Sequence, residues 1–500
     1  MKKHIYFVII LVIVLASCAK NETIIEQQEE PNSSEELLEE QEQEEVTTDS
    51  TTIVNNNYSY LFTAQAKTIL QQRFDNEYVT GPGFTSDFTR IKEALPSFLA
   101  NPSQYRPVFG SDPNIPSEGE ILHMAALYAY AMNHEEVANV VATEILTTLI
   151  ENKLSDPFWN TNPNFSAEND LFIQTAKVKK IKDSYYFIKI IQNILTDSEK
   201  LLITNWLAEY KDLVWAWAKP RLEGYWGNNW QNVGLTTFLP EGLYPSGIAD
   251  AYPIKDSNGN AITDYGMSWA QDHFSNRTID NITYLHAWAV TNNDGELEHY
   301  CREYVKNVIK YGTFSDGTFW ELIRNDSSDN TRGVYYTNVS LTGIVYMAHI
   351  DAMSNNFPND RLYDFTTTIG IENWSTNLTQ NPYPGGSTTD GLTQKSIKTL
   401  LIGQSKYLRT AANGGWADLR FNNGSSMSTV NKRQNSVLAA IANLYYKEQE
   451  LKQYYMYDTS VGYPTKVTIY EGWSVIEDYG AWGNFIIGGA WFEQEQNFFN

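Results

Sequence analysis

Cysteine is nearly absent: the 500 residues contain two, Cys18 and Cys301. A disulfide-stapled fold is excluded as soon as either thiol has another use, and stability must then come from a packed core. There is no His-Glu-x-x-His and no cysteine pair at zinc-ligand spacing, so no metal site is expected, zinc least of all. Basic residues are short, 36 against 60 acidic, which argues against nucleic acid as a partner. The apolar run from Ile5 to Leu15 falls short of the roughly 18 residues that a bilayer-crossing helix requires. Solenoid-type repeats are missing, and strand-like alternation is scarce before Lys466–Glu471.

What is present begins with that apolar run. Met1-Lys2-Lys3-His4, the run itself and Leu15-Ala16-Ser17-Cys18 have the anatomy of a secretory signal spanning residues 1–18. Its last four residues resemble the lipobox of bacterial lipoproteins. That resemblance implies a diacylated Cys18 as the mature N-terminus and an outer-membrane location, periplasmic or cell-surface, with the lipid as the only membrane contact. Residues 19–57 read as a solvated, disordered tether, because Glu22 to Asp49 hold twelve acidic and no basic residues. Without that stretch and Lys2, Lys3 and Lys20, 48 acids still face 33 bases. The body at 58–500 is therefore acidic, and any cleft for a polyanion has to be locally positive. With 42% hydrophobic and 14% aromatic residues in the chain, it is long enough to bury one large core.

Apolar residues recur at three- and four-residue spacing over Ile121–Met132, Glu136–Ile150, Asp170–Leu195, Ser198–Trp217, Asp280–Val290, Glu296–Tyr311, Ser340–Met353, Thr393–Ala411 and Asn435–Tyr446. Each stretch predicts a helix, and their arrival in pairs predicts helix-on-helix packing. Between Leu239 and Met267 the pattern stops. Asp256, Asn258, Asn260 and Asp264 there read as a hairpin turn, with a structural calcium as the alternative. The basic run Lys177-Val178-Lys179-Lys180-Ile181-Lys182 reads as a solvated helix face, and Cys301 as a buried thiol.

Residues able to do chemistry concentrate in Asp316-Gly317-Thr318-Phe319-Trp320-Glu321-Leu322-Ile323-Arg324, in Arg332-Gly333-Val334-Tyr335-Tyr336-Thr337-Asn338, and upstream in Gly227-Asn228-Asn229-Trp230. Over Asn228 to Met353 their order resembles the alginate-lyase superfamily of polysaccharide lyases. In that family an Asn-Asn-His motif precedes an Asp-Gly-Ser/Thr turn, Glu-x-x-Arg and a tyrosine opening a helix. The resemblance implies a mainly α fold, an (α/α) toroid of helical hairpins with a short β-containing C-terminal segment, and no required cofactor. It implies cleavage of a uronate polymer, alginate or glucuronan-like, by β-elimination. Carried over, Tyr336 is the catalytic tyrosine, Arg324 the active-site arginine and Asn229 the carboxylate-binding asparagine. Asn228, Trp226, Trp230 and Arg332 would contact substrate.

Trp230 stands where the family has histidine, and Arg324 and Tyr336 are further apart than the family's pair. His273 and His286 are the candidates to replace that histidine. They flank Ser275-Asn276-Arg277-Thr278, which resembles the Asn-Arg pair preceding a helix in hyaluronate and chondroitin lyases. On that alignment Asn276 would replace Asn229 in neutralising the substrate carboxylate, and Arg277 would contact substrate.

The residue types suit the reaction without any family. Elimination removes a weakly acidic proton beside a carboxylate and expels the sugar oxygen one carbon further on. Amide and guanidinium groups such as Asn229 and Arg324 stabilise the enolate-like charge. A tyrosine hydroxyl, which ionises near ~10 in isolation, serves as base only where cations favour the phenolate, and Arg324 and Arg332 are the nearest in sequence. The phenol then returns the proton to the leaving oxygen on the same face. Glu321 precedes Arg324 by about one helical turn and reads as its orienting partner. Trp215, Trp217, Tyr225, Trp226 and Trp230 offer flat rings to pyranose faces. A monomer acting on an acidic polysaccharide is the expected state.

Two other classes fit the anchor. A glycan-binding lipoprotein accounts for the lipid and the aromatics, yet not for Asn229, Arg324 and Tyr336 in that order. A helical-barrel glycoside hydrolase needs two carboxylates across a cleft, and Asp316 and Glu321 are too close in sequence to face each other across a sugar.

Overall fold

A computed structural model describes residues 61–62, 64–76, 87–109, 119–155, 168–226, 274–313, 317–321, 332–368, 393–412 and 434–452. The chain divides into two units, Met1–Asn55 and Asn56–Asn500, and every described residue belongs to the second. Outside the described residues lie the lipobox with Cys18, the acidic tether, the turn at 256–264, and the stretch at 466–471. Among the site residues, Asn228, Asn229, Trp230, His273 and Arg324 also fall there.

The described part is mainly helical. It comprises α1 (Ala64–Asn76), α2 (Asp87–Ala100), α3 (Glu120–Met132), α4 (Glu135–Glu151), α5 (Glu168–Ile188), α6 (Asp197–Trp226), α7 (Asn276–Asn292), α8 (Gly295–Tyr311), α9 (Arg332–Ser354), α10 (Ile397–Ala412), α11 (Gln434–Tyr446) and the single turn α12 (Gln449–Lys452). Extended pairing among the described residues is limited to two isolated bridges, Thr313 with Phe319 and Thr367 with Lys395. All nine helices expected from apolar spacing are present. The first two were not expected, and Pro96 inside α2 is a residue that normally argues against a helix. The helix expected to reach Leu195 stops at Ile188. The chain turns through Asn193 at φ 63°, and a Thr196–Glu199 capping box, with backbone donors reaching each partner's side chain at 3.3 and 2.8 Å, starts α6.

The tight reversals share one local chemistry. Helix α3 ends on Asn133 (φ 50°) and α7 on Asn293 (φ 57°), both left-handed, a conformation asparagine adopts more readily than other side chains. The next residue caps the following helix: His134 Nδ1 accepts from Val137 N–H, and Asp294 from Leu297 N–H. Acidic residues then fill the first turns of α4 and α8, where they complement the helix dipole. Each reversal needs only two residues between helices.

Buried contacts set the directions of the helices. Lys179 pairs with Asp280 near the start of α7, and Asn292 near its end donates to Tyr186 Oη at 3.4 Å, so α5 and α7 lie side by side in the same sense. Helices α7 and α9 also run together, being bridged near Asn276 and Ser340 and brought close again at His286 and Asp351. Helix α8 packs against α7 and returns in the opposite sense. Aromatic rings fill the layers: Phe62, Tyr130 and Phe187 stack at 5.5–5.9 Å, and Tyr210 meets Tyr284 edge-on at 5.2 Å. Cys301 is fully buried, and burial raises its thiol pKa.

Gly317, at φ +84°, lies against Gly403 of α10. A Cβ on Gly403 would come within 2.3 Å of the Gly317 carbonyl carbon. Gly403→Ala is therefore expected to cost about 1–3 kcal/mol as overpacking, read as a lower urea midpoint with unchanged m. An unaltered midpoint would contradict this close approach.

Candidate functional site

Tyr336 is the fifth residue of α9 and is partly exposed. One turn further on, Ser340 donates to Oε2 of Glu321, while Oε1 of the same carboxylate accepts the backbone N–H of Asn276 at 3.0 Å. Glu321 is fully buried. A carboxylate at a helix N-terminus is favourable against the helix dipole and its unpaired amides, so Glu321 fastens the start of α7 to the turn of α9 that follows Tyr336. Asn276 and Arg277 are the first two residues of α7, with Ser275 as cap accepting from Thr278 N–H at 3.1 Å. Asn276 is buried and Arg277 partly exposed. The loop-to-helix turn expected at Ser275–Thr278 is this cap.

Glu321 is placed by its own short segment. Gly317 permits the left-handed turn, Trp320 N–H donates to Gly312 O at 3.0 Å, and Trp320 Nε1 donates to Phe274 O at 2.9 Å. The indole is fully buried and ties this segment to the residue just before the Ser275 cap. The partner expected for Glu321, Arg324, is outside the described residues; among the described ones it orients α7 and α9.

The basic run is not a solvated face. Lys177, Lys179, Lys180 and Lys182 are all at most 1% exposed, because α5 is enclosed by α3, α4, α6 and α7. Buried ammonium groups require partners, and most of these come from outside α5. Lys179 pairs with Asp280, and Lys182 with Asp183 at 2.7 Å and Tyr346 Oη at 3.2 Å, while Lys177 donates to Val108 O at 2.6 Å. Burial lowers the Lys182 pKa, opposed by Asp183. Composition alone hides this, since four lysines in six residues look solvated until the helix is known to be enclosed.

Of the two candidate histidines, His273 lies outside the described residues. His286 is fully buried in α7, ten residues beyond Asn276 and thus about 15 Å further along the axis. It groups with Glu298 of α8 and Asp351 of α9, with one donor atom from each lying within 4.8 Å of the others. Burial, with Arg302 and Lys182 adding to it, holds the imidazole down at about 3, so it is neutral. Asp351 is fifteen residues after Tyr336, about 22 Å along α9, so the structure does not bring His286 to the tyrosine. Trp226 and Arg332 occupy the last position of α6 and the first of α9. Trp215 packs edge-on against Tyr300 at 4.5 Å, and Trp217 is buried.

Two other histidines are structural. His349 Nε2 bonds Leu61 O at 3.0 Å, and His123 Nδ1 meets Ser184 Oγ at 3.4 Å. Burial pushes both down to about 4, in His123 against the pull of Asp183. The unfolded chain, with histidine near ~6.5, binds these protons first. Their contribution to stability is therefore complete above about 6.5 and is lost as the pH falls toward about 4. The expected slope is at most about 2.7 kcal/mol per pH unit for the pair, measured as urea midpoints between pH 7 and 5. A pH-independent midpoint over that range would contradict the buried neutral state.

No protein-family model, no curated protein and no solved structure matches this chain.

Proposed function

We propose that this chain is a polysaccharide lyase that cleaves a uronic-acid polymer of the alginate or glucuronan type by β-elimination, with Tyr336 as the proton-transferring residue. The observation that carries this reading is Glu321, which bonds Asn276 N–H and Ser340 Oγ and so holds the Asn276–Arg277 helix start beside the turn of Tyr336. In this account the substrate carboxylate is neutralised by Arg277 and Asn276, with Asn229 and Arg324 as the motif-derived alternative pair. The Tyr336 oxygen takes the proton from the carbon next to the carboxylate. The electron pair left behind forms the carbon–carbon double bond as the glycosidic carbon–oxygen bond breaks, and the proton passes from Tyr336 to the departing oxygen. No water is consumed, and the tyrosine ends as it began.

The helices close into an (α/α) toroid in this account, for which the same-sense packing of α5, α7 and α9 with α8 returning outside is the support. A lipid on Cys18 and an outer-membrane location complete it and rest on the lipobox-like Leu15-Ala16-Ser17-Cys18. The test is to incubate the purified full chain with alginate, glucuronan, hyaluronan and chondroitin and follow the ultraviolet absorbance of unsaturated uronate. Growth of that absorbance on at least one polymer is expected. New reducing ends without it identify a hydrolase, binding without turnover identifies a glycan receptor, and either result defeats the proposal.

A further inference from the structure

One buried polar group of the described core has no part in the proposed elimination. His286, Glu298 and Asp351 come from three successive helices, α7, α8 and α9, and all three are buried. Spacing in the sequence therefore reveals nothing of them as a set. One donor atom from each lies within 4.8 Å of the others, a separation that a bound cation spans with modest contraction.

Hydrogen bonds hold one oxygen of each carboxylate, while the second oxygen of Glu298 is bare and that of Asp351 is paired with Arg302. Glu298 Oε2 accepts from Asn356 Nδ2 at 2.9 Å, whereas Oε1 has no partner. Asp351 Oδ2 accepts from Leu362 N–H at 2.8 Å, and Oδ1 meets only Arg302. Neither ring nitrogen of His286 has a hydrogen-bond partner, although the side chain is fully buried. A buried imidazole with both nitrogens bare is unusual, because buried polar atoms are otherwise bonded. Arg302 is shared: its other nitrogen is bound to Asp360, both to the carboxylate at 3.1 Å and to the backbone carbonyl. One guanidinium thus serves two carboxylates, and among the described residues no other cation pairs with Glu298.

We infer that His286, Glu298 and Asp351 form a binding site for one divalent transition-metal ion, with zinc the best match, that fastens α7, α8 and α9 together. One imidazole and two carboxylates are a borderline donor set suited to zinc, and calcium would require more oxygens. Asn356 and Leu362 N–H are the outer partners that aim the carboxylates. Arg302 stays on Asp360 and shares Asp351 with the ion, which weakens the site relative to one without a neighbouring cation. The role is structural, since the group stands about 22 Å along α9 from Tyr336.

The test uses the purified full chain, stripped with a chelator, reloaded with zinc chloride, desalted and analysed for metal by mass spectrometry. One zinc per chain is expected, with a raised thermal midpoint. Glu298→Gln, which keeps the shape and the Asn356 contact, is expected to weaken zinc binding by at least the roughly 10–100-fold that loss of an outer partner costs, and His286→Gln likewise. Should either variant fail to fold by circular dichroism, X-ray absorption of zinc on the wild-type chain decides, with one imidazole and oxygen ligands expected. No zinc uptake, uptake undiminished in folded Glu298→Gln, or sulfur in the coordination shell would overturn the inference. None of these readouts depends on glycan turnover, so they stand or fall apart from the lyase reading.

Discussion

Tyr336→Phe is expected to lower the release of unsaturated uronate by on the order of 10²–10⁴-fold, with the far-ultraviolet spectrum and thermal midpoint unchanged. The substitution removes one oxygen from a partly exposed ring in the second turn of α9, so the cost should fall on turnover and hardly on packing. The fastening of that turn by Glu321 through Ser340 does not involve the hydroxyl and should survive. Oligosaccharide binding, measured by calorimetry, should therefore stay within a few-fold of the wild type. Near-wild-type turnover would remove Tyr336 from the chemistry, and loss of both binding and fold would make its role structural.

The second large effect concerns stability. Lys179 and Asp280 are an ion pair at no more than 1% exposure, joining α5 to α7. Removing one member leaves the other charged and enclosed, which typically costs 3–5 kcal/mol. Asp280→Ala is therefore expected to lose about 3–5 kcal/mol in urea denaturation. Replacing both, as Lys179→Met with Asp280→Leu, is expected to recover most of that loss, because no uncompensated charge remains. If Asp280→Ala costs below about 1 kcal/mol, the pair is not enclosed as described. If the double variant is as unstable as the single one, Asp280 acts through other partners.

The helices were legible because an apolar stripe at helical spacing is an energetic requirement of burying one face. The reversals at Asn133-His134 and Asn293-Asp294 are legible in hindsight for the same kind of reason, since left-handed asparagine followed by a capping side chain is local chemistry. The extent of α5 was overread because apolar Ile190, Ile191, Ile194 and Leu195 continue the stripe past the point where Asn193 turns the chain. The burial of the lysines is hidden for a different reason. Their burial depends on Asp280 and Tyr346, more than 100 residues away, and no window of sequence contains both partners.

For the site, the order Glu321 then Tyr336 and the pair Asn276–Arg277 were readable one segment at a time. The bond of Glu321 to the backbone amide of Asn276 was not, since a backbone donor has no residue type to mark it. The expectation that Glu321 serves Arg324 rested on sequence nearness, whereas its described bonds reach residues 45 and 19 positions away. His286 shows the opposite case: it is near the Asn-Arg pair in sequence, yet the helix carries it about 15 Å along its axis to Glu298 and Asp351.

The mass of the products tests the central claim most directly. Elimination splits the chain without taking up water, so the cut produces one fragment lighter by one water than hydrolysis would produce. Incubating the purified chain with defined uronate oligosaccharides and weighing the fragments should give paired products, one saturated and one lighter by a water, and Tyr336→Phe should give almost none. Fragments that together contain an added water, from the wild-type chain, would contradict elimination and with it the role assigned to Tyr336.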